Sequence, residues 1–551
     1  TQLAFVQRYY AEHVAPLLNT ATLRPGAGSF LEGRGSYFVC RIQRKGTSRL
    51  MLVNLPSAQV GRFIKLPSTR GRTDLIFLDD VVRSCAHLLF AGHRVVECHS
   101  IKLSRDAELH LEEEFTGTLK DKVRKGLGKR KTGVPARLLY DAAMPRKTLR
   151  VLRRSLGSRK GDLVRGGRYH NLSDLHSLTA QGRKGLQGRP WPPLNVPASM
   201  RGEHLFKALK RRDVLLHPPY QDFSLFTAWL LAAAKDKSVE HIRITLYRVA
   251  DQSEVCDALL LALKNGKKVT VFIEVKARFD EGINLKWGET LEKNGAQVHY
   301  GHEHVKVHCK LCLIERKEPG GLRRYAYIGT GNFNERTSRI YSDSALITAN
   351  ESITQEVVGV FQFIRDLRQR TRYERLLVAP GSLRHGLEEL IDKEIESASL
   401  GKEASIFLKL NSLEDRGLIK KLYDASCAGV RIRIIVRSIC CLVPGVRNQS
   451  ENIEAISIVD RYLEHARVYA FHHGGDKRVY LSSADWMTRN LDRRVEVAVP
   501  LLDKNTMGEV LDLMEIQWKD RTKARIIDKK QSNGRHAAVR TSPAGRAQLD
   551  S

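Results

Sequence analysis

Residues 305–313 read VKVHCKLCL, which sets an imidazole between two ammonium groups. On a strand, Lys306, His308, Lys310 and Cys312 point to one face and Val305, Val307, Cys309, Leu311 and Leu313 to the other. Like charges crowded beside a buried histidine raise the free energy unless an anion satisfies them. A phosphoryl group is such an anion. Its non-bridging oxygens would meet the lysines while a neutral imidazole attacks phosphorus to give a phosphohistidine. Neighbouring cations also lower the imidazole pKa, which keeps the ring nucleophilic near neutral pH. One strand later comes a small-residue loop, GTGNFN at 329–334, with Asn332 as a polar partner, although Asn332 and Asn334 equally suit turns. A zinc reading of His302, His304, His308, Cys309 and Cys312 fits less well. C-K-L-C lies within a strand, no second Cys/His pair follows at the usual distance, and lysines disfavour a divalent cation.

A second centre has the same plan. EHARVYAF carries His465 and Arg467, and one strand later comes SSAD at 482–485. Two histidines meeting where duplicated domains face each other would let one act covalently and the other as a general acid. Arg248, Arg278 and Arg437 each close or follow a strand. Ligands of open α/β sheets bind at that end, so all three are candidate phosphate clamps.

The elements that must position these groups follow from the rest of the chain. Its 551 residues suffice for roughly three or four domains. With 92 Lys+Arg against 61 Asp+Glu, the net charge of +31 favours polyanions such as nucleic acid, anionic membrane or phosphate chains. Charge alone does not choose among them. No apolar run reaches the roughly 18 residues of a membrane span, and nine scattered cysteines suit reduced thiols in a cytosolic protein. Residues 1–195 mix strands such as YFVCRI with helical stretches and form an expected α+β domain, including a Gly-interrupted basic loop from Lys120 to Lys131 read as mobile. The Pro-rich RPWPPLNVP is a natural boundary. Beyond it, strands at 241–249, 267–275, 296–302, 305–315 and 323–331 alternate with helical segments. Strands at 405–411, 430–438, 456–462, 466–472, 477–485 and 495–502 then repeat the plan. The expectation is an α/β multidomain protein with two related α/β domains, 196–375 and 376–525, facing each other, and a disordered basic tail at 526–551.

The doubled His-x-basic plus small-polar arrangement resembles the phospholipase D superfamily. Longer strings, YRVA (247–250), ARFDE (277–281), KVHCKL (306–311), IGTGNFNE (328–335), SIVDRYLEHARVY (457–469) and YLSSADWMTRN (480–490), resemble the long-type bacterial polyphosphate kinases, and GGRYHN (166–171) and RDVLLHPPY (212–220) extend the match upstream. The resemblance implies two phospholipase D-like domains and reversible transfer of the ATP terminal phosphate onto inorganic polyphosphate, with magnesium required. It implies His308 as the phosphorylated nucleophile and His465 as the second catalytic histidine, also touching ATP, with Lys310 and Asn332 beside them. Tyr341 and Arg437 would contact ATP. Magnesium is placed at Arg248 and Arg278, which as guanidinium groups would hold the phosphates that carry the ion. The partners implied are polyphosphate and ATP/ADP, with a homo-oligomeric assembly and no specific nucleic acid. The location implied is cytoplasmic, with room for peripheral association with the inner membrane. The family also implies a helical domain ahead of Thr1 that supplies an asparagine to the nucleotide, so this chain is expected to keep polyphosphate binding and to lose much of its ATP affinity. After His465 stands Ala466, where an acidic orienting residue is expected. The competing readings are a phospholipase D-type phosphodiesterase or nuclease and a non-catalytic polyanion-binding protein. Against the former, an Asp is expected four residues after each motif, where Ile314 and Phe471 stand.

Overall fold

The computed structural model describes residues 2–25, 30–31, 35–68, 72–105, 118–132, 135–181, 184–186, 188–369 and 371–536. Two compact units divide the chain, one of residues 1–115 and 124–191, the other of 116–123 and 192–551.

In the first unit, alternating apolar residues build a sheet buried on both faces. Its order is Thr20–Thr22, Thr47–Asn54, Ser36–Arg44, Arg94–Arg105, Pro135–Asp141 and Leu163–Gly166, antiparallel except for the last pair. Phe38, Cys40 and Ile42 pack on one face with Leu78, Val81 and Val82 of the helix Leu78–Ser84. Tyr37 and Val39 pack on the other with Leu152 and Leu156 of the helix Arg146–Leu156. This is the two-residue period of a pleated strand covered on both sides.

The second unit contains the same sheet twice. One copy runs Gln297–His299, Lys268–Ile273, Val239–Leu246, Lys310–Glu318, Gly321–Gly329, Ala345–Thr348, Val214–Leu216. The other runs Ile453–Ser457, Arg431–Val436, Ser405–Leu410, Arg467–Phe471, Arg478–Ser482, Arg494–Pro500, Leu377–Ala379. Strand directions agree at every step: parallel in the first two pairings, antiparallel in the rest. Side-chain caps start the corresponding helices, with Ser253 and Asp415 accepting from the amides of Cys256 and Leu418. One apolar cluster joins the halves: Leu311, Leu313 and Ile328 from the first, Val468, Leu481 and Val497 from the second.

Three expectations are corrected. The single strand expected at 305–315 is two pieces in different sheets. Lys306–Val307 pairs in parallel with Arg494–Val495 of the second half, and Lys310–Glu318 belongs to the first. A bulge separates them, because the amides of His308 and Cys309 both donate to the Val495 carbonyl, at 3.0 and 2.9 Å. The basic run from Lys120 to Lys131 is not a loop but lies in the helix Leu119–Thr132. Its many Lys, Arg and Leu favour helix enough to absorb Gly126 and Gly128, each about 1 kcal/mol worse than Ala. Lys120 and Lys122 pair with Glu292 and Glu303 at 2.7 and 2.6 Å. The expected disordered tail begins as structure: Arg525–Ile527 adds an edge strand beside Ile453–Ser457, and the His536 ring meets Trp518 edge-on. The remainder of that tail, 537–551, lies outside the described residues. Among the described residues no helix is long and apolar enough to cross a membrane.

Beneath the second centre, Lys409 and Glu464 form a buried pair at 2.6 Å, with Ser342 and Gln517 also donating to the carboxylate. Lys409→Met removes the ammonium hydrogen-bonded to that buried carboxylate and should lower the unfolding free energy by about 3–5 kcal/mol. The double variant Lys409→Met/Glu464→Gln should recover most of the loss in chemical denaturation.

Candidate active site

The histidines sit at equivalent bulges. The amides of His465 and Ala466 both donate to the Ser342 carbonyl, at 3.0 and 2.9 Å, just as those of His308 and Cys309 do to Val495. A two-residue parallel pairing precedes each histidine: Lys306–Val307 on Arg494–Val495, and Leu463–Glu464 on Tyr341–Ser342. Each half therefore lends its histidine segment to the other.

This exchange delivers the orienting carboxylates. Nδ1 of His308 lies 2.8 and 2.9 Å from the two oxygens of Glu496, in the second half. Nδ1 of His465 lies 2.7 Å from Oδ1 of Asp343, in the first. Each Nδ1–H then donates to a carboxylate, which fixes the tautomer and leaves Nε2 as the lone-pair nitrogen. The orienting group expected beside His465 is thus supplied by Asp343 rather than by position 466. Both carboxylates are held in turn. Ser483 Oγ donates to Glu496 at 2.5 Å, and Thr330 Oγ1 donates to Asp343 at 2.6 Å. A Cβ on Gly331 would collide with the Asp343 carboxylate, which explains the second glycine of GTG.

Strand ends grip the same segments. Glu274, after Lys268–Ile273, accepts from the Val307 amide at 3.0 Å. Arg437, after Arg431–Val436, donates through Nε to the Glu464 carbonyl at 2.5 Å and to Asn411 Oδ1 at 3.1 Å. Tyr247 stands edge-on to His308, ring centroids 4.6 Å apart, and Tyr341 lies 5.3 Å from the His465 ring.

Charge is concentrated and buried here. Lys310 is 1% exposed and Arg467 4%. Lys310 donates to the His308 carbonyl. Arg467 bonds Asp485 at 2.9 Å and reaches the Nε2 of His465 at 3.3 Å. Burial pushes His308 well below the usual imidazole value, and Lys310, Arg494, Arg467 and His465 add to the effect. Burial also lowers Lys310 to about 7, despite Glu496, and raises Glu496 to about 7, despite Lys310. His465 is lowered by burial and Arg467 against the pull of Asp343. Burial alone would raise Asp343, but His465 and Thr330 hold it below the usual carboxylate range. The arrangement can accept phosphoryl oxygens among cations and offer a neutral nitrogen to phosphorus.

Of the residues marked in the sequence, His308, Lys310, His465, Tyr341 and Arg437 come together here. Arg248 is paired with Asp280 and approaches the site through Tyr247, whose hydroxyl feels Arg248 and Arg494. Arg278 is exposed, its guanidinium 5.0 Å from the Phe279 ring. Asn332 makes no hydrogen bond to either imidazole among the described residues, and its buried Oδ1 has no partner. Asn334 is a turn residue, accepting from the amides of Arg336 and Thr337. Among the described residues no group of three or more His, Cys, Asp or Glu could hold a metal ion, and the donor-only guanidiniums of Arg248 and Arg278 do not fit magnesium as ligands. Asp343, Glu496 and Arg494 were missed. Their signal was pseudo-symmetry, for each carboxylate occupies the position beside the other half's histidine.

Two copies of one sheet, sharing a centre of two crossed His–carboxylate pairs among buried cations, define a duplicated α/β phosphoryl-transfer class. Family models agree and narrow it: the polyphosphate kinase middle domain matches residues 1–178, C-terminal domain 1 matches 204–370 and C-terminal domain 2 matches 376–548. The chain is 43% identical over 541 residues to the polyphosphate kinase of Escherichia coli strain K12, covering 96% of this chain and 78% of that one. It is 41% identical over 540 residues to that of Vibrio cholerae, covering 97% and 77%. The crystal structure of polyphosphate kinase from Porphyromonas gingivalis superposes with a TM-score of 0.84 at 36% identity, covering 100% of this chain and 82% of that one. This chain belongs to the polyphosphate kinase family.

The lowered His308 pKa fixes a pH signature. An imidazole whose pKa lies below 6.5 stays neutral, and so able to attack phosphorus, down through that pH. With His308 read as the group that takes the phosphate, any loss of single-turnover labelling by γ-labelled ATP that comes from protonating the imidazole should fall below pH 6.5, not at the midpoint of a free imidazole. A midpoint at or above that of a free imidazole would show that burial does not keep the ring neutral.

Proposed function

We propose that this chain reversibly transfers the terminal phosphoryl group of ATP to the end of an inorganic polyphosphate chain, with His308 carrying the phosphate between them. One observation carries this reading: a buried imidazole, Nδ1 held by Glu496 and Nε2 without a hydrogen-bond partner among the described residues, beside Lys310. The family membership supports the substrates, since the relatives are named polyphosphate kinases.

The Nε2 lone pair attacks the terminal phosphorus as the bond to ADP breaks. Glu496 stabilises the positive charge that the ring gains on becoming phosphorylated. Lys310, Arg467 and Arg494 meet the phosphoryl oxygens, and an anion placed among them returns Lys310 to its charged form. A terminal oxygen of polyphosphate then attacks phosphorus, the N–P bond breaks and His308 is restored. His465 takes part in proton movement once the phosphate draws Arg467 from its Nε2, because that raises the imidazole pKa. Tyr341 and Arg437, beside His465, are the nucleotide-facing pair. Among the described residues no group of three or more His, Cys, Asp or Glu is gathered to hold a metal, and magnesium would enter on the phosphates of the nucleotide.

With γ-labelled ATP and magnesium, label should enter acid-insoluble polyphosphate, and the protein should acquire acid-labile phosphate that His308→Ala abolishes. His465→Ala should slow turnover by about 10²- to 10⁴-fold. Glu496→Gln keeps a hydrogen-bond acceptor but removes the countercharge, and should slow phosphohistidine formation by roughly 10²- to 10³-fold. Hydrolysis of DNA or phospholipid without polymer would instead identify a phosphodiesterase.

A further inference from the structure

The first unit holds a pair of cysteines for which phosphoryl transfer has no use. Cys40, on Ser36–Arg44, and Cys98, on Arg94–Arg105, are direct partners across antiparallel strands, and their sulfurs lie 3.3 Å apart. Cys40 is fully buried in the apolar cluster over that face, and Cys98 is half-buried at its margin. The strand carrying Cys98 gains its second neighbour, Pro135–Asp141, only from Ile101 onward. At Cys98 it is therefore paired on one side only and can shift as a bond closes.

We propose that Cys98 is a site of reversible oxidation by hydroperoxides, and that Cys40 resolves it into a cross-strand disulfide. The surroundings of Cys98 favour its thiolate. Cys40 donates a hydrogen bond to it, and Arg83 and Arg168 lie on the same side, against burial and the weaker opposing charge of Asp79. These guanidiniums are fixed in place. Arg83 bonds Asp80 at 3.1 Å and the Arg168 carbonyl at 2.9 Å, and Arg168 bonds Asp80 at 2.8 Å. Cys85, Cys256, Cys309, Cys312 and Cys440 are all raised instead, chiefly by burial.

The chemistry has two balanced steps. The Cys98 thiolate attacks one peroxide oxygen, the O–O bond breaks, hydroxide (or alkoxide) leaves, and the sulfur, oxidised by two electrons, becomes a sulfenic acid. Cys40 then attacks that sulfur, gives up its proton and expels water. Closing to bonding distance takes only about an ångström of movement by the two side chains. Because the resolving thiol is already in contact, the reaction stops at the disulfide short of sulfinic acid. A dithiol reductant reverses it.

The test is peptide mapping of the whole protein under non-reducing conditions after brief hydrogen peroxide treatment. The expected product is a peptide linked through Cys40 and Cys98, lighter by about 2 Da than its separate parts and lost on dithiothreitol treatment. In Cys40→Ser, Cys98 should stop at a sulfenic acid that a cyclic 1,3-diketone captures. In Cys98→Ser, Cys40 should remain a free thiol. Cys98 recovered unmodified while the exposed Cys427 and Cys441 oxidise would overturn the proposal. So would Cys98 passing to sulfinic acid with Cys40 free. Should Cys40→Ser fail to fold, the mapping of the unmodified sequence decides alone.

Discussion

The site depends on a buried imidazole receiving its carboxylate from the opposite half of a duplicated fold. A neutral histidine among cations has two nitrogens to satisfy and two tautomers to choose between. A carboxylate at Nδ1 removes the choice. In this chain neither half can supply it alone. Glu496 reaches His308 only because Lys306–Val307 pairs with Arg494–Val495, and Asp343 reaches His465 only because Leu463–Glu464 pairs with Tyr341–Ser342. The short exchanged pairings, the bulges that follow them, and the shared apolar cluster are one device. It makes the two-histidine centre a property of the assembled pair of sheets.

The same arrangement explains the tension in the electrostatics. Lys310, Arg467 and Arg494 are brought close to two imidazoles in a buried space, and the local carboxylates Glu496, Asp343 and Asp485 do not relieve all of it. Lys310 gives way in part, its pKa lowered to about 7 by burial. A site in which an ammonium is driven toward neutrality in the free protein is poised to regain its charge when an anion arrives. Preorganisation of this kind favours an incoming phosphoryl group because the cost of gathering the cations was met in folding.

Much of this was legible in the sequence, and what was not has physical causes. The strand runs VTVFI and IRIIV stand out because both faces are buried and β-branched residues fill them. His308 with Lys310 and His465 with Arg467 stand out because such residues seldom share one face of a strand. Asp343 and Glu496 did not stand out, since their partners are 122 and 188 residues away and no local periodicity encodes an exchanged pairing. Nor could alternation reveal the break at His308, where two consecutive amides share one carbonyl while Val307 and Cys309 still enter the same core. The helix Leu119–Thr132 was hidden by its two glycines. The edge strand Arg525–Ile527 is too short to carry a pattern at all.

Duplication makes the two centres alike, and the differences between them support the parts proposed for the two histidines. The cation two residues after His308 is Lys310, turned onto the backbone carbonyl of His308, while Nε2 has no hydrogen-bond partner among the described residues. The cation two residues after His465 is Arg467, whose longer planar fork binds Asp485 and also reaches Nε2 of His465. A nitrogen already accepting from a guanidinium has its lone pair engaged and is the weaker nucleophile. The strand-end partners differ in the same sense: Glu274 holds an amide ahead of His308, whereas Arg437 holds a carbonyl ahead of His465 and adds another cation on that side. These differences support the proposed reading, in which the half carrying His308 attacks and the half carrying His465 gathers anionic oxygens. From two copies of one sheet, lysine stands in one centre where arginine stands in the other, and glutamate where arginine stands, which is the asymmetry the proposed roles draw on.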